Sequence, residues 1–321
     1  MLNKIDKKSV QIIFAYFLIY VVWGSTYYFI GYALNDFPPF LLGAVRFSIA
    51  GVLLLAWRYY KGVKVFEKSL VKKSAVSGLV LLFIDMAVIM LAQSYVTSSL
   101  VAIIASSTTI WILLLDFPMW KKNFRNPFTI GGIILGFLGV LLLYLEQYLN
   151  ENITDIHNIG IYILIFGCIS WALGTLYTKY FSMRETSTDA FAGAAWQMIF
   201  ASIMFWIFST SLGEMATVEA KEISISSWAA VVYLIIFGSI FAYTAYIWLL
   251  KVRPAAEVAT HAYVNPVIAI ILGVSLGNEL VTGIQIGGLL LILTSVTLVQ
   301  LNKLRLVRKK NVMKLRDIGV E

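Results

Sequence analysis

Charge is scarce in this chain. Only 13% of its 321 residues are charged, about half the share usual in a soluble domain. That excludes a soluble globular protein, and the 60% of hydrophobic residues excludes a disordered one. Cysteine is almost absent. The single Cys168 sits inside an apolar run, so no intramolecular disulfide forms and nothing reports an oxidising compartment. Histidine is limited to His157 and His261, which fall in different surroundings, so no metal-binding pair of the His-Glu-x-x-His kind exists and no metal or other cofactor is expected. The chain also lacks a Gly-x-x-x-x-Gly-Lys phosphate loop and any polar segment long enough for a nucleotide-binding domain, which argues against a self-contained ATP-driven pump.

What the chain has in plenty is apolar runs of the length a bilayer core demands, about 20 residues each. They lie at roughly 10–34, 39–58, 74–94, 97–117, 127–147, 158–179, 189–212, 226–250, 255–277 and 282–301. Stretches such as Leu79–Val80–Leu81–Leu82–Phe83 and Leu289–Leu290–Leu291–Ile292–Leu293 are apolar on every face. The alternation of a membrane barrel strand is missing, and in lipid a helix satisfies its own backbone. The expectation is an all-α polytopic membrane protein with ten transmembrane helices. The first run is too long for the apolar region of a signal peptide and has no clear small-x-small cleavage site; it is expected to be retained as a span.

The net charge of +8 does not point to nucleic acid, because the basic residues sit in short gaps rather than on one folded face. The N-terminus, the gaps near 58–73, 118–126, 179–188 and 251–254, and the tail after 302 hold 23 of the 25 lysines and arginines. The alternate gaps carry Asp36, Glu146, Glu151, Asp155, Glu214, Glu219, Glu222 and Glu279, with Lys221 as their one basic residue. Positive residues stay cytoplasmic, so both termini are expected inside, with 302–321 a basic cytoplasmic tail. Its Lys303, Arg305, Arg308, Lys309 and Lys310 serve as an orientation signal or touch anionic lipid.

The two halves echo one another. Ile130–Gly131–Gly132–Ile133–Ile134–Leu135 matches Ile286–Gly287–Gly288–Leu289–Leu290–Leu291, and Trp23–Gly24–Ser25–Thr26 is loosely repeated in Trp171–Ala172–Leu173–Gly174–Thr175. Five spans per repeat, 10–147 and 158–301, force the second copy to cross in the opposite sense. Inverted repeats are a recurrent signature of secondary transporters, with the substrate site near the midplane between the halves. The glycines at 131, 132, 136, 139, 283, 287 and 288 suit close helix packing.

Ionisable groups within the bilayer are functional candidates. Arg46 and Asp85 fall at nearly equal depth in spans two and three, at about 1.5 Å rise per residue. Either they form a mutual ion pair, or one of them meets a charged substrate group or a proton. Gln93 sits two turns above Asp85. In span nine Glu257, His261 and Asn265 recur at i, i+4 and i+8 on one face, and Pro266 removes a backbone donor and breaks the helix there. Such a stripe lines a cavity and, through Glu257 or His261, moves a proton; alternatively Glu257 pairs with Lys251 or Arg253 and His261 bonds a neighbour. Aromatic and hydroxyl side chains form the other constellation. They are Tyr16, Tyr20, Trp23 and Tyr27 with Thr26 in span one, Trp171 and Thr175 in span six, and Ser239, Tyr243 and Tyr246 in span eight. Such groups suit a cavity for a partly apolar solute.

The sequence resembles the EamA type of the drug/metabolite transporter superfamily. The resemblance rests on Trp23–Gly24–Ser25–Thr26–Tyr27, on Pro38–Pro39 followed by Arg46–Phe47, on Ser170–Trp171–Ala172, on Lys251 with Pro254–Ala255–Ala256, on Ala262–Tyr263–Val264–Asn265–Pro266 and on Gly277–Asn278–Glu279. It covers about residues 12–301. It implies two five-helix EamA repeats, an inner-membrane location, and export or exchange of small amphipathic metabolites, amino-acid-like or drug-like, by alternating access. It also implies that most cavity residues lie on spans one, three, six, eight and nine. One departure is Thr109, standing where the family often carries a span-four partner of Pro266. A channel-like permease and a membrane-embedded enzyme are the competing classes; the first would show a polar pore-lining helix, the second a catalytic constellation.

Overall fold

The computed structural model describes residues 7–125, 127–149, 155–183, 188–218, 222–295 and 297–298. Among the described residues every regular element is helical. In chain order these are α1 (Lys8–Ala33), α2 (Pro39–Tyr60), α3 (Lys68–Gln93) and α4 (Ser98–Leu115), then α5 (Pro127–Leu149) and α6 (Asp155–Tyr177, continued by a π-helical turn Thr178–Ser182). After them come α7 (Ala190–Ser211), α8 (Ile225–Val252), α9 (Ala255–Val258 and His261–Gly277) and α10 (Gly283–Ser295).

Seven helices, namely α1 to α4 and α6 to α8, are long and apolar enough to cross a membrane. The apolar stretches Pro127–Leu143, His261–Gly277 and Gly283–Ser295 are shorter. The expectation of ten full-length spans is therefore met by seven such helices and three shorter ones. Part of the reason is local: α9 is interrupted at Ala259 and Thr260, so neither piece is of spanning length. The tail, with Lys303, Arg305, Arg308, Lys309 and Lys310, lies outside the described residues, as do Glu151, Glu219 and Lys221.

The helices are not uniform rods. Residues Leu18–Val22 in α1, Gly78–Ile84 in α3 and Leu234–Tyr243 in α8 are π-helical. Such insertions are uncommon and cluster at functional sites. Those in α3 and α8 begin 10 and 9 residues after the helix starts. α4 and α9 are likewise both interrupted, at Ser106–Ser107 and at Ala259–Thr260. α3 and α8 thus share a π-helical stretch, and α4 and α9 a mid-helix interruption.

α2 and α7 pack antiparallel along their lengths. At one end Glu214, just past α7, accepts hydrogen bonds from the backbone N–H of Phe40 (3.2 Å) and Leu41 (2.7 Å) at the start of α2. At the other end Arg58, in the last turn of α2, pairs with Asp189, the N-cap of α7. A carboxylate among unsatisfied N-terminal N–H groups is favourable on both hydrogen-bonding and dipole grounds. Glu279 serves α4 in the same way. Asn278 adopts the left-handed conformation (φ 52°) that ends α9 and turns Glu279 back, so that its carboxylate accepts from the N–H and the hydroxyl of both Ser98 and Ser99.

α5 and α10 meet where Gly139 and Gly288 each lie against the other's carbonyl. Close packing of this kind holds for Gly136, Gly139 and Gly288; Gly131 and Gly283 have open space beside them.

Candidate functional site

Aromatic residues near the middle of α1 and α6 build one wall. The Trp23 ring centroid lies 5.3 Å from that of Trp171, 5.1 Å from Tyr246 and 5.1 Å from His261. α1 reaches α9 closely because residue 24 is glycine: a Cβ there would stand 2.9 Å from Ile268 Cβ and 3.1 Å from Asn265 Cα. This contact brings Trp23, Thr26 and Tyr27 beside His261 and Asn265.

These five side chains, with Trp171 of α6, Asp85, Met86 and Ile89 of α3 and the interrupted stretch of α4 (Ala102, Ala105, Ser106 and Thr108), surround a cavity of about 50 Å³. That is room for a few waters at about 10–15 Å³ each. The walls are largely apolar and aromatic, with a few polar groups between them, the composition of a small-molecule site.

Asp85 is 6% exposed and lines the cavity. Among the described residues it takes part in no hydrogen bond and no ion pair. The mutual pair with Arg46 is not formed. Arg46 Nε donates to Ser239 Oγ of α8 at 2.8 Å, its guanidinium carbon lies 4.8 Å from the Phe47 ring centroid, and Nη1 has no partner. Equal depth along two helices does not make two side chains neighbours: α2 turns Arg46 towards α8, while α3 turns Asp85 towards α1 and α6.

His261 and Asn265 are bound to each other. With the Asn265 amide turned to satisfy both its ends, its oxygen accepts from His261 Nδ1 (3.1 Å) and its nitrogen donates to the carbonyls of Ile19 (3.0 Å) and Tyr20 (2.9 Å). Glu257 is not part of the cavity lining. The turn at Ala259–Thr260 breaks the helical phase, so the i, i+4, i+8 stripe is not continuous. Glu257 instead accepts from Tyr16 Oη (3.2 Å) and faces Arg253 at 3.7 Å. Pro266 lies inside a continuous helix, so the interruption comes two turns earlier than proline placement suggests. Thr109 gives that interruption a partner, donating to the Ala259 carbonyl at 3.2 Å.

The remaining predicted residues lie behind the walls. Thr175 Oγ1 bonds Tyr246 Oη at 2.6 Å, and Tyr243 Oη donates to Gln197 Oε1 at 2.5 Å, whose Nε2 donates to Ser77 at 2.9 Å. Gln93 is not among the cavity residues; its amide is buried without a hydrogen-bond partner near Gly31. Sequence reasoning missed Ser106 and Thr108 as lining; the polar run Ser106–Ser107–Thr108–Thr109 in an apolar span was the available signal. It also left Glu214 and Glu279 as mere loop acids. Among the described residues no three His, Cys, Asp or Glu side chains gather at one point.

The family model for the EamA-like transporter family matches residues 10–145 and again 158–301. The uncharacterized inner membrane transporter YedA of Escherichia coli (strain K12) is 32% identical over 290 residues, covering 90% of each chain. A protein of the same organism named "Probable amino-acid metabolite efflux pump" is 24% identical over 280 residues, covering 86% of this chain and 90% of its own. A crystal structure with 19% identity superposes with a TM-score of 0.68 over 92% of this chain and 99% of its own, so the two share a fold. Seven membrane-length helices, two copies of one family unit and relatives named as transporters agree, and the chain belongs to the EamA-like transporter family.

Proposed function

We propose that this protein is a secondary carrier that exports or exchanges small amphipathic metabolites, amino-acid-like or drug-like, by alternating access. The ten apolar helices form two inverted five-helix repeats, 10–147 and 158–301, with both termini and the 302–321 tail on the cytoplasmic side. The cavity bounded by Trp23, Asp85, Trp171 and His261 is the substrate site. The observation that carries this reading is one small aromatic cavity lined by residues that directly follow irregular segments: Trp23 after the π-helical Leu18–Val22, Asp85 after Gly78–Ile84 and His261 after the turn at Ala259–Thr260, with Ser106 of the α4 interruption beside them. Matched irregularities in α3 and α8 and in α4 and α9 support the repeat, as does the antiparallel packing of α2 with α7. Interrupted helices around a midplane site are the transporter pattern, and the amino-acid efflux name of one relative supports the substrate type. Of the groups considered for proton coupling, Asp85 faces the cavity with its oxygens unbonded, whereas Glu257 lies outside it.

The test is uptake of a pooled metabolite set into proteoliposomes, read by mass spectrometry, with and without a pH gradient. Saturable accumulation of one compound class is expected. Ion currents far above carrier rates, or hydrolysis of the compounds supplied, would overturn the carrier reading in favour of a channel or an enzyme.

A further inference from the structure

We infer that the site recognises the cationic amine end of its solute through Asp85 and reads no carboxylate, so that amines are taken and their anionic counterparts refused. The inference rests on the carrier reading of the cavity and adds the charge its occupant must bear.

Apart from His261, the cavity is lined by a single acidic or basic side chain, Asp85. Several of its donors are spent inside the protein. Thr26 donates to the Trp23 carbonyl at 2.6 Å, and Ser106 to the Ile103 carbonyl at 2.5 Å. The Asn265 amide serves the Ile19 and Tyr20 carbonyls, and His261 Nδ1 serves the Asn265 oxygen. The strongest acceptor, the Asp85 carboxyl, is unspent: it lines the cavity, 6% exposed, with no donor among the described residues. A buried carboxylate left unpaired is costly, so an occupant that brings a charged donor gains what the wall lacks. No Lys or Arg lines the cavity. Arg46 is not among the lining residues; its Nε is taken by Ser239, while its Nη1 has no partner. Nearby ring faces favour the same sign, since indole attracts ammonium groups and repels anions; Trp23 and Trp171 stand in the wall on which Asp85 opens. The apolar side chains Ile30, Met86 and Ile89 complete a surface for the uncharged body of such a solute.

The experiment is equilibrium binding to the purified full-length protein at pH 7, followed by tryptophan fluorescence, with four probes of one shape: phenethylamine, phenylalanine, 2-phenylethanol and 3-phenylpropionate. Phenethylamine should bind tightest, phenylalanine no better than phenethylamine, and 3-phenylpropionate not at all. Asp85→Asn should weaken phenethylamine binding about 10- to 100-fold, the range of one charge-assisted hydrogen bond, and weaken 2-phenylethanol, which brings only a neutral donor, by far less. Asp85→Glu should restore part of the loss. Thermal melting of each variant separates lost binding from lost folding. Binding of 3-phenylpropionate or 2-phenylethanol as tight as that of phenethylamine, clearly tighter binding of phenylalanine, no binding of phenethylamine, or full amine binding by folded Asp85→Asn would each overturn the inference. Asp85-dependent amine binding without transport of any amine in proteoliposomes would uphold the charge inference and defeat the carrier reading instead.

Discussion

Removing the carboxylate of Glu279 should loosen the start of α4 more than any other single change at that end of the bundle. Its two oxygens accept from Ser98 N (3.1 Å), Ser99 N (3.0 Å) and both serine hydroxyls. Gly273 has no side chain where these groups meet; a Cβ there would stand 2.5 Å from a Glu279 oxygen. Each charge-assisted hydrogen bond contributes about 1.5–3 kcal/mol when fully shielded. Glu279 is half-buried, so water replaces part of that, and loss of a helix cap alone costs about 0.5–2 kcal/mol. Glu279→Ala should therefore cost about 2–4 kcal/mol, a fall in melting temperature of roughly 3–6 °C. Glu279→Gln retains one acceptor oxygen and turns an NH2 towards the remaining donors, so it should lose about half as much. Glu214→Ala, which releases only two backbone donors, should resemble Glu279→Gln, and Ser98→Ala should lose least. The assay is thermal unfolding in detergent by tryptophan fluorescence. A Glu279→Ala protein that melts with the wild type, or a loss from Ser98→Ala exceeding it, would refute the reasoning.

Further outcomes follow from other contacts. Thr109→Val should free the Ala259 carbonyl, cost about 1 kcal/mol and raise hydrogen exchange over residues 258–262; unchanged exchange there would deny Thr109 its tie. Gly174→Ala would bring a Cβ to 2.6 Å from the Leu81 Cα and should destabilise by about 1–3 kcal/mol, whereas Gly131→Ala, with open space beside it, should leave melting unchanged. The Ser224 hydroxyl, with the Ser227 hydroxyl and the Ser224 N–H, holds the Asp36 carboxyl below its ordinary value of 3.8. A depressed carboxyl stabilises the fold above its unfolded value, and that contribution disappears as pH falls through the lower folded value. The melting difference between wild type and Asp36→Asn should accordingly be steady above about pH 5 and shrink below pH 4; a difference that grows on acidification would contradict this.

Much of the helical layout is legible in apolar run length alone. The runs 39–58 and 189–212 end within a few residues of α2 (Pro39–Tyr60) and α7 (Ala190–Ser211). Trp23, Asp85, Trp171 and His261 stand out because large aromatic or ionisable groups deep in a span need a reason, and the cavity supplies it for all four. What periodicity cannot carry is azimuth through an irregular helix. The π-helical stretch in α8 ends at Tyr243, one turn before Tyr246, and the two side chains face α7 and α6 respectively rather than a shared cavity. The interruption at Ala259–Thr260 has neither glycine nor proline to announce it, so Glu257 is read onto the wrong face, while Pro266, which does announce a break, sits in intact helix. Helix caps donated from distant loops, such as Glu279 on α4, are invisible to local pattern because the partners are about 180 residues apart.

The central claim is that the cavity is a route open alternately to the two sides of the membrane. Ala105 lines it, and in a Cys168→Ser background Ala105→Cys would be the only thiol. Its labelling by a membrane-impermeant maleimide, measured in vesicles from the inside and from the outside in turn, tests the claim directly. The account predicts reaction from both sides, slowed on both by a transported solute. Reaction from one side only, or labelling that no transported solute protects, would contradict it.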